Sequence, residues 1–155
     1  MGRIIAIANQ KGGVGKTTTA INLSACLAES GQKVLTVDFD PQGNATSGLG
    51  IEKGEIDKTV YDLLVGECDI EECLISNMQE NLDLLPSNVD LAGAEIELLE
   101  IENKESLLKT YLSKIQNNYD FIIIDCPPSL NLLTINALTA ANTVLVPIQC
   151  EYYAL

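Results

Sequence analysis

The chain has 155 residues, of which 46% are apolar, and a formal net charge of −13. It is long enough for one domain with a real core and too apolar for a disordered chain. The acidity argues against unassisted nucleic-acid binding, which draws on Lys and Arg, and the lack of histidine excludes imidazole catalysis.

Arg3–Ala8 reads as a buried strand, Lys11-Gly12-Gly13-Val14-Gly15-Lys16-Thr17-Thr18 as a glycine loop, and Thr17–Ser30 as a helix closed by Gly31. A second strand, Lys33–Asp38, runs into the polar turn Asp40-Pro41-Gln42-Gly43-Asn44, and Gly48, Gly50 and Gly54 suggest a mobile connection. A helix over Thr59–Val65 stops near Gly66, and Asn81–Leu85 is the third strand. Leu107, Leu108, Tyr111, Leu112 and Ile115 recur at helical spacing, with an end at Asn117-Asn118. Asp120–Asp125 is the fourth strand, Leu130–Ala141 a helix after Pro127-Pro128, and Thr143–Ile148 the fifth strand. Glu151-Tyr152-Tyr153-Ala154-Leu155 looks like the start of another helix, so the chain is expected to be the N-terminal part of a longer protein. Near-continuous Ile, Leu and Val suits parallel strands covered on both faces. Strands alternating with helices predict a single α/β domain over 1–155, a doubly wound and mostly parallel sheet with helices on both sides.

Charge is spread unevenly. Residues 51–120 hold five cations and seventeen acids, whereas residues 1–50 hold four cations and three acids. The acidic middle reads as a solvated face that aids solubility, or alternatively as a docking surface for a basic peptide. Cys26, Cys68, Cys73, Cys126 and Cys150 are scattered without a C-x-x-C pair, so neither a disulfide framework nor a zinc site is expected. Cys26, Cys126 and Cys150 stand in apolar stretches and are expected to pack as small hydrophobes. No apolar run approaches the roughly 20 residues of a membrane span, and a cytoplasmic location is expected.

A strand, a glycine loop and a helix start, in that order, make a phosphate cradle. Backbone N–H groups converge there, and the helix dipole favours negative charge. Lys16 is suited to the β- and γ-phosphates of a nucleotide and the Thr17 hydroxyl to Mg²⁺. The pattern G-x-x-x-x-G-K-[ST] would need glycine at position 10, where Gln10 stands, and a second lysine, Lys11, opens the loop instead. Phe121-Ile122-Ile123-Ile124-Asp125 ends an apolar strand in a carboxylate that could serve Mg²⁺, which prefers octahedral oxygen ligands. Asp38 and Asp40 close the second strand: Asp40 is expected to position the attacking water, and Asp38 to serve the metal directly or from behind.

The segments Lys11–Thr18, Asp38–Thr46 and Phe121–Ser129 resemble the ParA/Soj family of chromosome- and plasmid-partitioning ATPases, a deviant Walker A group related to MinD. Leu91-Ala92-Gly93-Ala94-Glu95 and Gln149–Leu155 add to the likeness, which runs the whole length. The resemblance implies a P-loop NTPase that binds ATP and Mg²⁺ through Lys11, Gly12, Gly13, Val14, Gly15, Lys16, Thr17 and Thr18. Asp125 would hold the metal through water, and Asp40 would be needed for hydrolysis. It also implies an ATP-dependent homodimer in which Lys11 reaches the partner's nucleotide, a ParB-like protein that accelerates hydrolysis, and non-specific DNA binding by the full-length family. The only arginine is Arg3, at the far end of the first strand, so Lys11 is the nearest further cation for the transition state. Three other readings compete: a MinD-like membrane-associated positioning ATPase, a metabolic relative such as a nitrogenase iron protein or small-molecule ligase, and a nucleotide-binding fragment without activity.

Overall fold

Ile, Val and Leu at nearly every position of a short run suit a strand that is covered on both faces. In the computed structural model, which describes residues 1–9, 15–148 and 150, such runs form β1 (Arg3–Ile7), β2 (Val34–Asp38), β4 (Leu82–Leu85) and β5 (Phe121–Asp125). They lie in one sheet with β3 (Ile75–Gln79) and β6 (Thr143–Leu145), in the order β3-β4-β2-β5-β1-β6. All pairings are parallel except β3 with β4. The helices are α1 (Lys16–Glu29), α2 (Asn44–Gly48), α3 (Val60–Leu64), α4 (Ile70–Cys73), α5 (Ala94–Glu97), α6 (Leu107–Ser113) and α7 (Leu132–Ala140). The expected doubly wound, mostly parallel α/β architecture is present.

Alternation along the strands builds two core layers. Ile4, Ala6, Leu35, Val37, Ile122 and Ile124 share one layer, which α3, α6 and α7 cover. Ile7, Val34, Leu82 and Ile123 share the other, under α1. The same parity places Thr36 and Asp38 of β2, and Asp125 of β5, on the α1 side. The buried face of α1 consists of Lys16, Ala20, Ser24 and Ala28, each four residues apart. Small side chains there let the helix lie close to the sheet, and the Thr36 hydroxyl donates to Ser24 Oγ at 2.8 Å.

Several expectations change. The fifth strand ends at Leu145 rather than Ile148, and Val144, Val146 and Ile148 are exposed. Strand β3 was not anticipated because its sequence, ISNMQ, carries no apolar run; it joins β4 through a turn in which Asn81 has φ 67°. Part of the glycine-rich connection after the second strand is regular: Asn44–Gly48 is helical, and a Cβ at Gly48 would meet Ile21 of α1, whereas Gly50 and Gly54 face open space. The helix expected to end at Asn117-Asn118 is α6 followed by a 3-10 turn, Gln116–Asn118. Cys26 is exposed, because it lies on the outer side of α1, and Cys150 is exposed too, whereas Cys126 is buried as expected. No helix among the described residues is long and apolar enough to cross a membrane.

Asn136 of α7 shows how the helical layer is tied together. It is fully buried; its Oδ1 accepts from Leu108 N (3.1 Å), and its Nδ2 donates to Lys104 O (2.8 Å) and Leu132 O (3.0 Å). Asn136→Ala would strand a buried amide and a carbonyl on the neighbouring segment. A stability loss of about 2–3 kcal/mol is expected in urea titrations followed by circular dichroism.

Candidate functional site

Helix α1 begins where Gly15 adopts φ +83°, a left-handed conformation that glycine takes without penalty. No side chain caps this end. The first-turn amides therefore point outward with their partial positive charge uncompensated by a cap, an arrangement that favours an anion. Lys16, the first residue of the helix, is only 9% exposed and makes no ion pair among the described residues. Lys16 also lines the cleft at this helix start, so its positive charge and the first-turn amides favour an anionic ligand at the same place.

Asp125 ends β5 beside Asp38 of β2, its register partner. Its Oδ2 accepts the Thr17 hydroxyl at 2.8 Å, which joins the strand end to the start of α1. Its Oδ1 is buried and accepts no hydrogen bond among the described residues. Burial is the main cause that pushes this carboxyl up to about 7; the Thr17 hydrogen bond opposes the shift, the charges of Asp38 and Asp40 add to it, and Lys16 lowers it. A divalent cation would satisfy the orphaned oxygen and return the group to its ionised form. The donor set is right for Mg²⁺, a hydroxyl and a carboxylate at one edge. Among the described residues no three acidic or cysteine side chains converge to cage a metal alone. Mg²⁺ held in company with phosphate oxygens and waters needs no such cage.

Asp38 is fully buried and committed to the loop that follows it. Its Oδ2 accepts from Thr46 N (2.8 Å) and the Thr46 hydroxyl (2.6 Å), and its Oδ1 accepts from Asp40 N (3.2 Å). Burial raises its pKa, and the Thr46 hydrogen bonds oppose the rise. The loop thus presents Asp40, whose Oδ1 accepts from Gln42 N at 3.0 Å. Asp40 lines an open cleft of about 460 Å³ together with Gly15, Lys16, Thr17, Thr18, Gln42 and Pro128.

The structure therefore brings Gly15, Lys16, Thr17, Thr18 and Asp40 to one cleft, and sets Asp125 behind Thr17. Lys11, Gly12, Gly13 and Val14, together with Gln149 and Glu151–Leu155, lie outside the described residues. Sequence reasoning passed over Thr46 and Ser87, which fasten the Asp40 loop. The only available signal was a hydroxyl residue directly after an apolar strand and Pro86. A second cleft, of about 380 Å³ and mostly apolar, lies on the far side of Pro128, between Ala8, Leu138 and Val144.

The elevated Asp125 carboxyl has a consequence for the metal-free chain. Its ordinary value is 3.8 and its folded value about 7, so between them the folded state binds more protons than the unfolded state. Stability must then fall as pH rises through that window. Asp125→Asn is expected to flatten the decline, leaving what Asp38 contributes, and to raise the melting temperature of the metal-free chain at neutral pH. Thermal unfolding across the window checks both.

A family model described as an AAA domain matches residues 2–155. The sporulation initiation inhibitor protein Soj of Bacillus subtilis is 61% identical over all 155 residues, and the chain spans 61% of that protein. The chromosome partitioning protein ParA of Myxococcus xanthus is 56% identical over 100% of this chain and 55% of its own length. The chain thus spans little more than half to three fifths of these relatives. Among solved structures, cobyrinic acid a,c-diamide synthase from Mycobacterium smegmatis with bound ATP analog and magnesium superposes with a TM-score of 0.95 at 47% identity, covering 100% of this chain and 63% of that one. A family model that runs almost end to end makes this sequence a member of the AAA domain family, similar over its full length to the Soj and ParA proteins.

Proposed function

We propose that the chain is the nucleotide-gripping part of an ATPase that serves chromosome or plasmid partitioning, a P-loop domain over 1–155 that binds and hydrolyses Mg-ATP. The observation that carries the reading is Lys16, nine-tenths buried at an uncapped helix start with no carboxylate partner among the described residues. A triphosphate supplies the missing anion. The orphaned Oδ1 of Asp125, next to the Thr17 hydroxyl, supports Mg²⁺ as the accompanying cation. When bound, Mg²⁺ would neutralise negative charge that develops on the phosphate during transfer.

The chain's own residues divide the work. Main-chain amides from Gly12 to Thr18 and the Lys16 ammonium hold the phosphates. Thr17 and Asp125 would hold the metal. Asp40, at the rim of the same cleft, orients the attacking water and accepts its proton as the water oxygen bonds to the γ-phosphorus and the bond from that phosphorus to the β–γ bridging oxygen breaks, releasing ADP and phosphate. Asp38 supports it from behind by fixing the loop. Lys11 supplies the further positive charge, from a second subunit. In this reading the protein alternates between a monomer and an ATP-bound dimer in the cytoplasm. A ParB-like partner accelerates hydrolysis, and DNA contacts belong to the protein at the length its relatives have.

The diamide synthase likeness favours one second reading, an ATP-dependent amide-forming ligase built on the same grip. Turnover of ATP without any carboxylic-acid acceptor separates the two.

Lys16→Ala is expected to weaken binding of a fluorescent ATP analogue by roughly 100-fold or more, the scale of losing charge-assisted hydrogen bonds. Asp40→Ala is expected to keep that affinity while the hydrolysis rate falls roughly 10²- to 10⁴-fold. Phosphate release measured with and without excess EDTA tests the metal, and hydrolysis that survives chelation would end the magnesium assignment.

A further inference from the structure

The Asp40 loop is fastened at a point that none of the expected site residues occupies. Ser87 lies at the carboxyl end of β4, two residues past Leu85, and is 1% exposed. Its hydroxyl donates to Asp40 O at 2.8 Å, and its amide donates to Thr46 Oγ1 at 3.1 Å. Thr46 Oγ1 in turn donates to Asp38 Oδ2, and Asp38 Oδ1 accepts from Asp40 N. The main chain of Asp40 is thereby gripped at both its amide and its carbonyl, inside a closed ring of four residues. Gly43 completes the arrangement. Its amide bonds to the same Asp40 carbonyl at 2.9 Å, its φ is +67°, and a Cβ there would stand 3.4 Å from Ser87 O.

The geometry points to Ser87 as a positioning residue for the hydrolytic step. Ser87 does not itself line the cleft and, among the described residues, makes no hydrogen bond to Gly15, Lys16 or Thr17, so the phosphate grip of those residues does not depend on it. It acts through the Asp40 carbonyl, and so sets where the Asp40 carboxylate stands. This rests on the reading of Asp40 given above. A loop released from Ser87 would still carry Asp40, held from one side by Asp38, but over a wider range of positions. Displacements of about 1 Å at a catalytic group cost up to roughly 100-fold in rate.

The test uses this chain with Mg-ATP and three forms: the parent, Ser87→Ala and Ser87→Thr. Ser87→Ala is expected to lower kcat roughly 10- to 100-fold, while affinity for a fluorescent ATP analogue stays within about threefold, a change smaller than one lost hydrogen bond would cause. Amide exchange at Gln42, Gly43 and Thr46 should rise about tenfold in Ser87→Ala, the scale of one hydrogen bond, with α1 unaffected. Ser87→Thr, which keeps the hydroxyl, should restore both rate and exchange. A parent-like kcat in Ser87→Ala overturns the proposal, as does a fall in affinity that tracks the fall in rate. A parent that binds Mg-ATP without turnover would instead sink the hydrolytic reading of Asp40. Loop exchange then still decides Ser87, and unchanged protection in Ser87→Ala would remove it as the fastening of the loop.

Discussion

A lysine nine-tenths buried at a helix start, with no ion pair among the described residues, sets the terms for everything around it. Lys16 is held at the start of α1 by the helix itself, and the small residues Ala20, Ser24 and Ala28 let that helix press against the sheet. Asp125 stands nearby with one oxygen on Thr17 and the other without a donor among the described residues. Burial works against the Asp125 charge, and Lys16 nearby offsets it only in part. A phosphate–metal pair would bring a cation to the orphaned oxygen and an anion to the lysine together. The buried Ile and Val of β1, β2 and β5 hold these groups in place from outside.

The fold was readable where physics writes in long strokes. Runs such as Phe121–Asp125 and Val34–Asp38 are apolar on both faces and name themselves as central strands. The Lys16-Thr17 pair after glycine announces the phosphate end. Strand β3 was missed because it lies at the edge, half exposed, with a polar sequence that no periodicity marks. The helix Asn44–Gly48 was not anticipated, because Asn44 closes a polar turn and Gly48, with Gly50 and Gly54, signals a mobile connection. The helix forms because Gly43 can turn the chain and Asp38 can hold Thr46.

The site shows the same division. Residues at the cleft or directly behind it carry distinctive chemistry and spacing, so Lys16, Thr17, Asp40 and Asp125 were visible. Residues that meet only other residues, such as Thr46 and Ser87, look like any hydroxyl in a loop. Their role appears only when three strand ends are brought level. The role of Asp38 was likewise undecidable from its neighbours in sequence. Its carboxylate turns inward to the loop amides rather than standing open at the cleft.

The flank beside β6 governs how this chain behaves in bulk. Among the described residues β6 has no outer neighbour, and Leu130, Leu138, Val144, Val146 and Ile148 lie bare near it. An open strand edge bordered by oily side chains invites copies to stack. Mutual repulsion from a net charge of −13 works against that tendency. Concentrated salt, which shortens the reach of this repulsion, and acidification toward the isoelectric point near 4.1 both remove the guard. Colloidal stability of the isolated chain is therefore a property of its buffer as much as of its fold.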